Sequence, residues 1–266
     1  MRGSHSLATA ILALLLSGCA TVYTDAPPEV KAELAPRGTL RVGLAEGNPI
    51  QVVRDPASQE MRGLAFDLGK ELARRIGVAF APVLYPSTGA LLSASKSDQW
   101  DVALFLVSPA RIKDFDFTAA LVELELGYLV PKSSPMTAAA DVDQPGIKVA
   151  AQQKSHADVI LSGLLKQAVI VRTSGVAASI GLLKSGGADA FAANKATLFE
   201  ASGQLPGSRV LDGRFAVERV AMAIPKGRDA GMAYARKFVN DAKARGLVKA
   251  AVEKAGIRGA VIAPLQ

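Results

Sequence analysis

The stretch DVALFLVSPARIKDFDFT, residues 101–118, decides how this chain folds. Val102–Val107 is an apolar run with the length of a buried strand. Ser108-Pro109 is turn chemistry that ends it. Arg111 follows at once, and then Asp116-Phe117-Thr118. A buried strand whose end delivers an arginine is how an open α/β sheet presents a fixed cation to a ligand. Taken alone, Arg111 reads more simply as a surface arginine on a turn, so its surroundings carry the weight.

Outward from this stretch the chain alternates. Thr39–Ala45 reads as a strand. Leu64, Leu68, Leu72 and Ile76 recur every fourth residue, which predicts an amphipathic helix stopped by Gly77. Val78–Tyr85 reads as a strand and Gly89–Lys96 as a short helix. Such alternation argues for a mostly parallel sheet with helices on its faces.

Two passages then resemble each other. Leu124–Val130 is an extended run ending in Pro131-Lys132, and Val220–Ile224 ends in Pro225-Lys226. Between them lies a second alternating unit: strands at Ile147–Gln152, Ala168–Arg172 and Ala188–Ala192, and helices at Ala157–Lys166, Ser174–Lys184 and Lys195–Ser202. Two helical stretches follow, Ala230–Arg245 and Leu247–Ala255. The reading is one α/β lobe interrupted by another, 38–130 with 225–266 and then 131–224, with two crossing segments as the hinge. A single doubly wound sheet would explain the alternation but not the paired passages.

Residues 101–118 also resemble the signature of the family 3 extracellular solute-binding proteins, the periplasmic amino-acid-binding type. There an Asp opens a strand, a Ser/Thr-x-x-Arg turn follows, and Asp-Phe-Thr/Ser closes the motif. The resemblance extends over residues 38–256 and implies the two-lobed periplasmic binding protein fold, type II. It implies that Arg111 grips a ligand carboxylate. It also draws attention to VAAQQKSH, residues 149–156, where the family has a helix N-terminus that meets the carboxylate. Ser155 fits the N-cap and His156 stands where a second hydroxyl residue is usual; His156 also reads as a surface histidine. After Gly187-Ala188-Asp189-Ala190 the family places an Asp that holds the amino group of its ligands. Here that position is Asn194, and an amide cannot neutralise an ammonium as a carboxylate does.

A cleft between two lobes is where pockets sit. The loop after the first strand, with Glu46, Asn48 and Ile50, is expected to line it, Ile50 standing where an aromatic is common in the family. Ser87 is a further candidate, although it serves as readily to cap the helix after it. Ser108 and Leu106 are expected beside Arg111, Leu106 making the pocket more apolar than usual. The ligand expected from Arg111, Ser155, His156 and Asn194 is a small organic anion or an amino-acid-like molecule, most simply a carboxylate without an ammonium group unless Glu46 supplies the missing charge.

The first residues carry a separate signal. Met1-Arg2 is a short basic start, and Leu7–Leu16 has the length of a signal-peptide apolar core, too short for a membrane span. It ends in Leu16-Ser17-Gly18-Cys19, which resembles a bacterial lipobox. The expectation is a signal peptide over 1–18, a lipid on Cys19, and a tether over 19–37. Cys19 is the only cysteine, so no disulfide framework exists. Localisation would be periplasmic, as a lipoprotein anchored at a membrane surface.

Composition excludes several classes. The net charge is +7 without a basic run, and aromatics are 5% of the chain, which offers nucleic acid neither a stripe nor stacking platforms. No phosphate-binding glycine loop or nucleophile elbow is present. With one histidine beyond the leader, a metal centre or a His-based triad is not expected. No cofactor is expected, and a monomer is. The expected function is the solute-binding component of an ABC importer, with an ABC permease as partner and no enzymatic role. Two alternatives stay open: a cyclohexadienyl-dehydratase-like enzyme on the same fold, using an acid such as Glu46, and a ligand-sensing module for an envelope receptor.

Overall fold

The computed structural model describes residues 26–265, apart from Pro56 and Lys154. The leader, Cys19 and the start of the tether lie outside the described residues. Helix α1 spans Pro28–Leu34 and strand β1 Thr39–Ala45, followed by the short strands β2 (Val53–Arg54) and β3 (Met61–Arg62). Then come α2 (Leu64–Ile76), β4 (Ala79–Tyr85), α3 (Thr88–Ala94), β5 (Val102–Leu106), α4 (Pro109–Ile112) and the long β6 (Phe115–Val130). The middle of the chain forms β7 (Lys148–Gln152), α5 (His156–Leu164), β8 (Val169–Thr173), α6 (Val176–Ser185), β9 (Ala190–Asn194), α7 (Lys195–Gly203) and β10 (Arg209–Val210). The last elements are β11 (Ala216–Pro225), α8 (Asp229–Ala244), α9 (Leu247–Lys254) and β12 (Ala260–Ile262).

Local sequence explains most of these elements. Leu64, Leu68, Leu72 and Ile76 are at most 2% exposed, so the every-fourth spacing marks the buried stripe of α2. Gly77 ends it at φ 71°, the left-handed conformation that a residue without Cβ adopts cheaply. Burying each such leucine is worth about 1.5–3 kcal/mol.

The strands run in the order β4-β1-β5-β11-β6-β9-β7-β8. On one side β4, β1 and β5 are parallel, and on the other β9, β7 and β8 are parallel. The antiparallel pair β11·β6 lies between them, and β10 and β12 both add to β6. The hydrogen-bonded ladder is therefore continuous, but the packing is not. One core gathers Leu40, Val42, Leu72, Val122, Leu124, Met222 and Phe238, with a Trp100–Phe105–Phe115 layer on the opposite face. Another gathers Tyr128, Val149, Leu161 and Ala192, with Phe191, Ile180 and Leu198 beyond it. The result is two covered α/β lobes that share two strands.

The core partner changes inside β6, between Leu124 and Tyr128, and around β11 between Phe215 and Val220. Pro131 and Pro225, placed at the lobe boundaries by sequence, lie at the exits of the two crossing strands: Pro131 follows the last residue of β6, and Pro225 is the last of β11, opposite Phe115. The two Pro-Lys passages look alike because each is the exit of a crossing strand.

Part of the expected tether is structured. Val30 and Leu34 of α1, four residues apart, are buried against α8, and Gly231 of α8 sits so near Leu34 that a Cβ would come within 2.8 Å of it. Glu33 accepts the Gly231 N–H at 2.7 Å. Beside the crossing strands the lobes also touch where Arg258 lies over the Phe199 ring, 4.4 Å from its centroid.

Candidate functional site

A cavity of about 390 Å³ lies between the two cores. The first lobe lines it with the loop Gly47–Gln51, with Thr88, with the end of β5 at Leu104–Leu106 and with Arg111. The second lobe contributes Asn194, Ala196, Thr197 and Glu200, and β11 contributes Glu218 and Val220.

Arg111 sits in the one-turn helix α4, which Pro109 starts. The turn folds it back over the strand it follows. Its Nη1 donates to the Leu106 carbonyl at 2.9 Å, and its guanidinium carbon lies 5.5 Å from the Phe105 ring centroid. Burial lowers its pKa from the ordinary arginine value, and the charge of Glu218 opposes that shift. Gln51 is 3% exposed; its Nε2 donates to the Leu104 carbonyl, and its Oε1 is buried with no hydrogen-bond partner. Gly63, at φ 159°, lies against the Gln51 carbonyl with no room for a Cβ, which fixes this loop.

On the opposite wall Asn194 caps α7. Its Oδ1 accepts the Thr197 N–H at 2.9 Å, and its Nδ2 donates to Glu218 Oε2 at 3.3 Å. Ser155 caps α5 by accepting the Asp158 N–H at 3.2 Å. His156 opens that helix, with Nδ1 3.3 Å from Glu218 Oε1. Ser155 and His156 line a smaller side cavity of about 100 Å³, which shares Asn194, Thr197 and Glu218 with the larger one.

Glu218 thus stands at the meeting of both cavities, its side chain 13% exposed. Burial pushes its pKa up, while His156, Asn194 and Arg111 each pull it back. Sequence reasoning missed this residue. The available signal was an acid two places before the buried Val220, which puts both on one face of β11.

Asn48, Ile50, Leu106, Arg111 and Asn194 therefore converge on the main cavity, and Ser155 and His156 on its side chamber. Three expected residues do not. Glu46 is half exposed and lies 3.8 Å from Arg54, on a separate cavity, because its position at the strand end turns it outward. Ser87 accepts the Ala90 N–H at 3.1 Å as the cap of α3, and its neighbour Thr88 lines the cavity instead. Ser108 occupies the N-cap position of α4, makes no capping bond there, and is not part of the wall. Lys195, adjacent to Asn194, is held by Glu125 at 2.7 Å. Among the described residues, no group of three or more His, Cys, Asp or Glu converges as a metal site, and no helix is long and apolar enough to cross a membrane.

Two lobes, two shared strands and a polar-tipped cavity between them define a two-lobed ligand-binding protein. The chain belongs to the bacterial extracellular solute-binding proteins, family 3, whose model matches residues 40–256. Among solved structures it resembles an ancestral amino acid-binding protein, a precursor of cyclohexadienyl dehydratase, at 26% identity and TM-score 0.65, covering 84% of this chain and 97% of that one. Two further structures share the fold. One is a binding component of an ABC transporter from Wolinella succinogenes complexed with lysine (22% identity, TM-score 0.68, 82% and 95% covered). The other is the solute receptor for L-cysteine of Neisseria gonorrhoeae (23%, 0.66, 86% and 95%). No curated protein sequence matches the chain.

Proposed function

We propose that this protein is the solute-binding component of an ABC importer. It captures a small carboxylate-bearing molecule between its lobes, in the periplasm, and a lipid on Cys19 holds it at a membrane surface. The observation that carries the reading is Arg111. A guanidinium has five N–H donors, and the one hydrogen bond described for this one goes to the Leu106 carbonyl. The N-terminal end of α5, the other expected carboxylate site, already faces the acid Glu218. That leaves Arg111 as the donor for a ligand carboxylate. Contacts from both lobes to one ligand favour closure, because a ligand shifts an equilibrium only through differential contacts.

Thermal-shift screening of the purified chain with small carboxylates tests this. At least one should stabilise the protein, and Arg111→Ala should weaken the shift sharply. A shift undiminished in Arg111→Ala removes the carboxylate reading. The dehydratase reading draws support from a different observation: Glu218, rather than Glu46, is a buried carboxyl group inside the cavity with its pKa pushed up, as a general acid requires. Turnover of prephenate or arogenate would favour it over transport.

A further inference from the structure

Arg111 and Glu218 are the opposite charges most removed from water in the cavity wall. Each feels the other's field, yet no ion pair joins them among the described contacts. Arg111 donates to one carbonyl and keeps donors to spare, and Glu218 accepts from the Asn194 amide on one oxygen with the His156 ring 3.3 Å from the other. Opposite charges withdrawn from water and held apart are costly unless something bridges them. The cavity lies between them.

The acceptors point the same way. Gln51 Oε1 is a buried acceptor without a partner in the first-lobe wall. A simple carboxylate bound at Arg111 would leave that oxygen unpaired and would bring its own negative charge toward Glu218. A ligand with N–H donors on a positive nitrogen satisfies both. Asn194 is already committed at both ends, to Thr197 and to Glu218.

We propose that Glu218 is the specificity-determining residue of the cleft: from the crossing strand it selects ligands that carry a protonated nitrogen beside the carboxylate held by Arg111. This deepens the solute-binding reading and rests on it. It also replaces the sequence expectation of a plain organic anion, since the acid lacking at Asn194 is supplied from β11 and not from Glu46.

The test is calorimetric titration of the full chain with L-amino acids, each beside the carboxylate that lacks only its α-amine: L-leucine with 4-methylpentanoate, L-phenylalanine with 3-phenylpropanoate, and so through the standard set. An amino acid should bind about 10- to 100-fold more tightly than its partner, the range of a charge-assisted hydrogen bond. Glu218→Gln should erase that preference by weakening the amino acid alone. Glu218→Asp, which withdraws the carboxylate by one methylene, should narrow it, and this decides the matter if Glu218→Gln does not fold. Equal or tighter binding of the amine-free carboxylates by the wild type overturns the proposal but leaves the solute-binding reading intact. So does a preference that persists in Glu218→Gln. Binding of neither series overturns both.

Discussion

Arg41 and Arg111 both carry a guanidinium out of bulk water, and the fold treats them oppositely. Arg41, on β1, meets Asp101 at 2.7 and 2.9 Å and Asp98 at 3.0 Å, and Arg228 joins the same two acids. These partners raise its pKa further. Arg111 has one carbonyl and an aromatic face, and burial lowers its pKa. The first cluster ties β1, the start of β5 and α8 together, and each guanidinium nitrogen of Arg41 is matched by an acceptor. The second faces a cavity and leaves donors over. A cation stripped of water without a carboxylate partner marks where a partner arrives from outside; one fully matched marks scaffolding.

The largest effect expected from breaking this contrast is at Asp101, which is fully buried. Asp101→Ala leaves Arg41 and Arg228 without their shared buried acid. It should cost about 3 kcal/mol of stability by urea unfolding, the lower end for a broken buried pair, because Asp98 remains. The ligand preference of the surviving folded protein should be unchanged.

Arg111→Ala should do the reverse. Affinity for the carboxylate ligand should fall by about 1.5–3 kcal/mol, read by calorimetry, while unfolding shifts by less than about 1 kcal/mol. A large stability loss at Arg111 with unchanged affinity would make it scaffolding after all.

The same contrast exists between acids, and pH exposes it. Glu71, between Arg74 and Arg75, is held down to about 2. Its contribution to stability is complete above pH 4.5 and is lost as pH falls through about 2. Glu218 is pushed above the ordinary glutamate value of 4.5, first of all by burial. The fold therefore binds its proton more tightly than the unfolded chain does. Its contribution is complete below pH 4.5 and is lost as pH rises through the folded value. Unfolding of the ligand-free protein across pH 4–8 should show the wild type losing ground to Glu218→Gln as pH increases. A difference that grows in the wild type's favour with pH would contradict the assignment.

The smallest effect is expected at Ser87. Ser87→Ala removes the cap of α3 and should cost about 1 kcal/mol, with ligand affinity unaffected. Loss of affinity without loss of stability would return Ser87 to the site.

The sequence made some of this legible for physical reasons. Strand and helix alternation survives because each element writes its burial differently: every fourth residue in α2, a continuous buried run in β1. Arg111 was visible because a strand, a Ser-Pro turn and an arginine are contiguous. Glu218 was not, because its neighbours in space, Arg111, His156 and Asn194, come from three other elements, and an acid in a strand reads as the solvent face. The loop after β1 lines the cavity, but which side chain turns inward depends on tertiary packing: Gln51 does and Glu46 does not. The first half of β6 was hidden by Asp116, Thr118 and Glu123, whose polarity interrupts the apolar pattern of a strand in which Phe115, Ala120, Leu121 and Val122 are buried. The α1 helix was overlooked although Val30 and Leu34 keep helical spacing, since its prolines suggested extended chain.

The shared strands also impose an order of assembly. The second core draws on one unbroken run of chain, from Tyr128 to Leu211. The first draws on residues up to Leu124 and from Val220 onward, including Phe238 and Val252. A chain growing from its N-terminus therefore holds every component of the inner lobe before it holds the outer one's last strands and helices. The lobe that begins first is completed last, because β11, which β5 and the first part of β6 both require, is made only after the whole of its partner lobe.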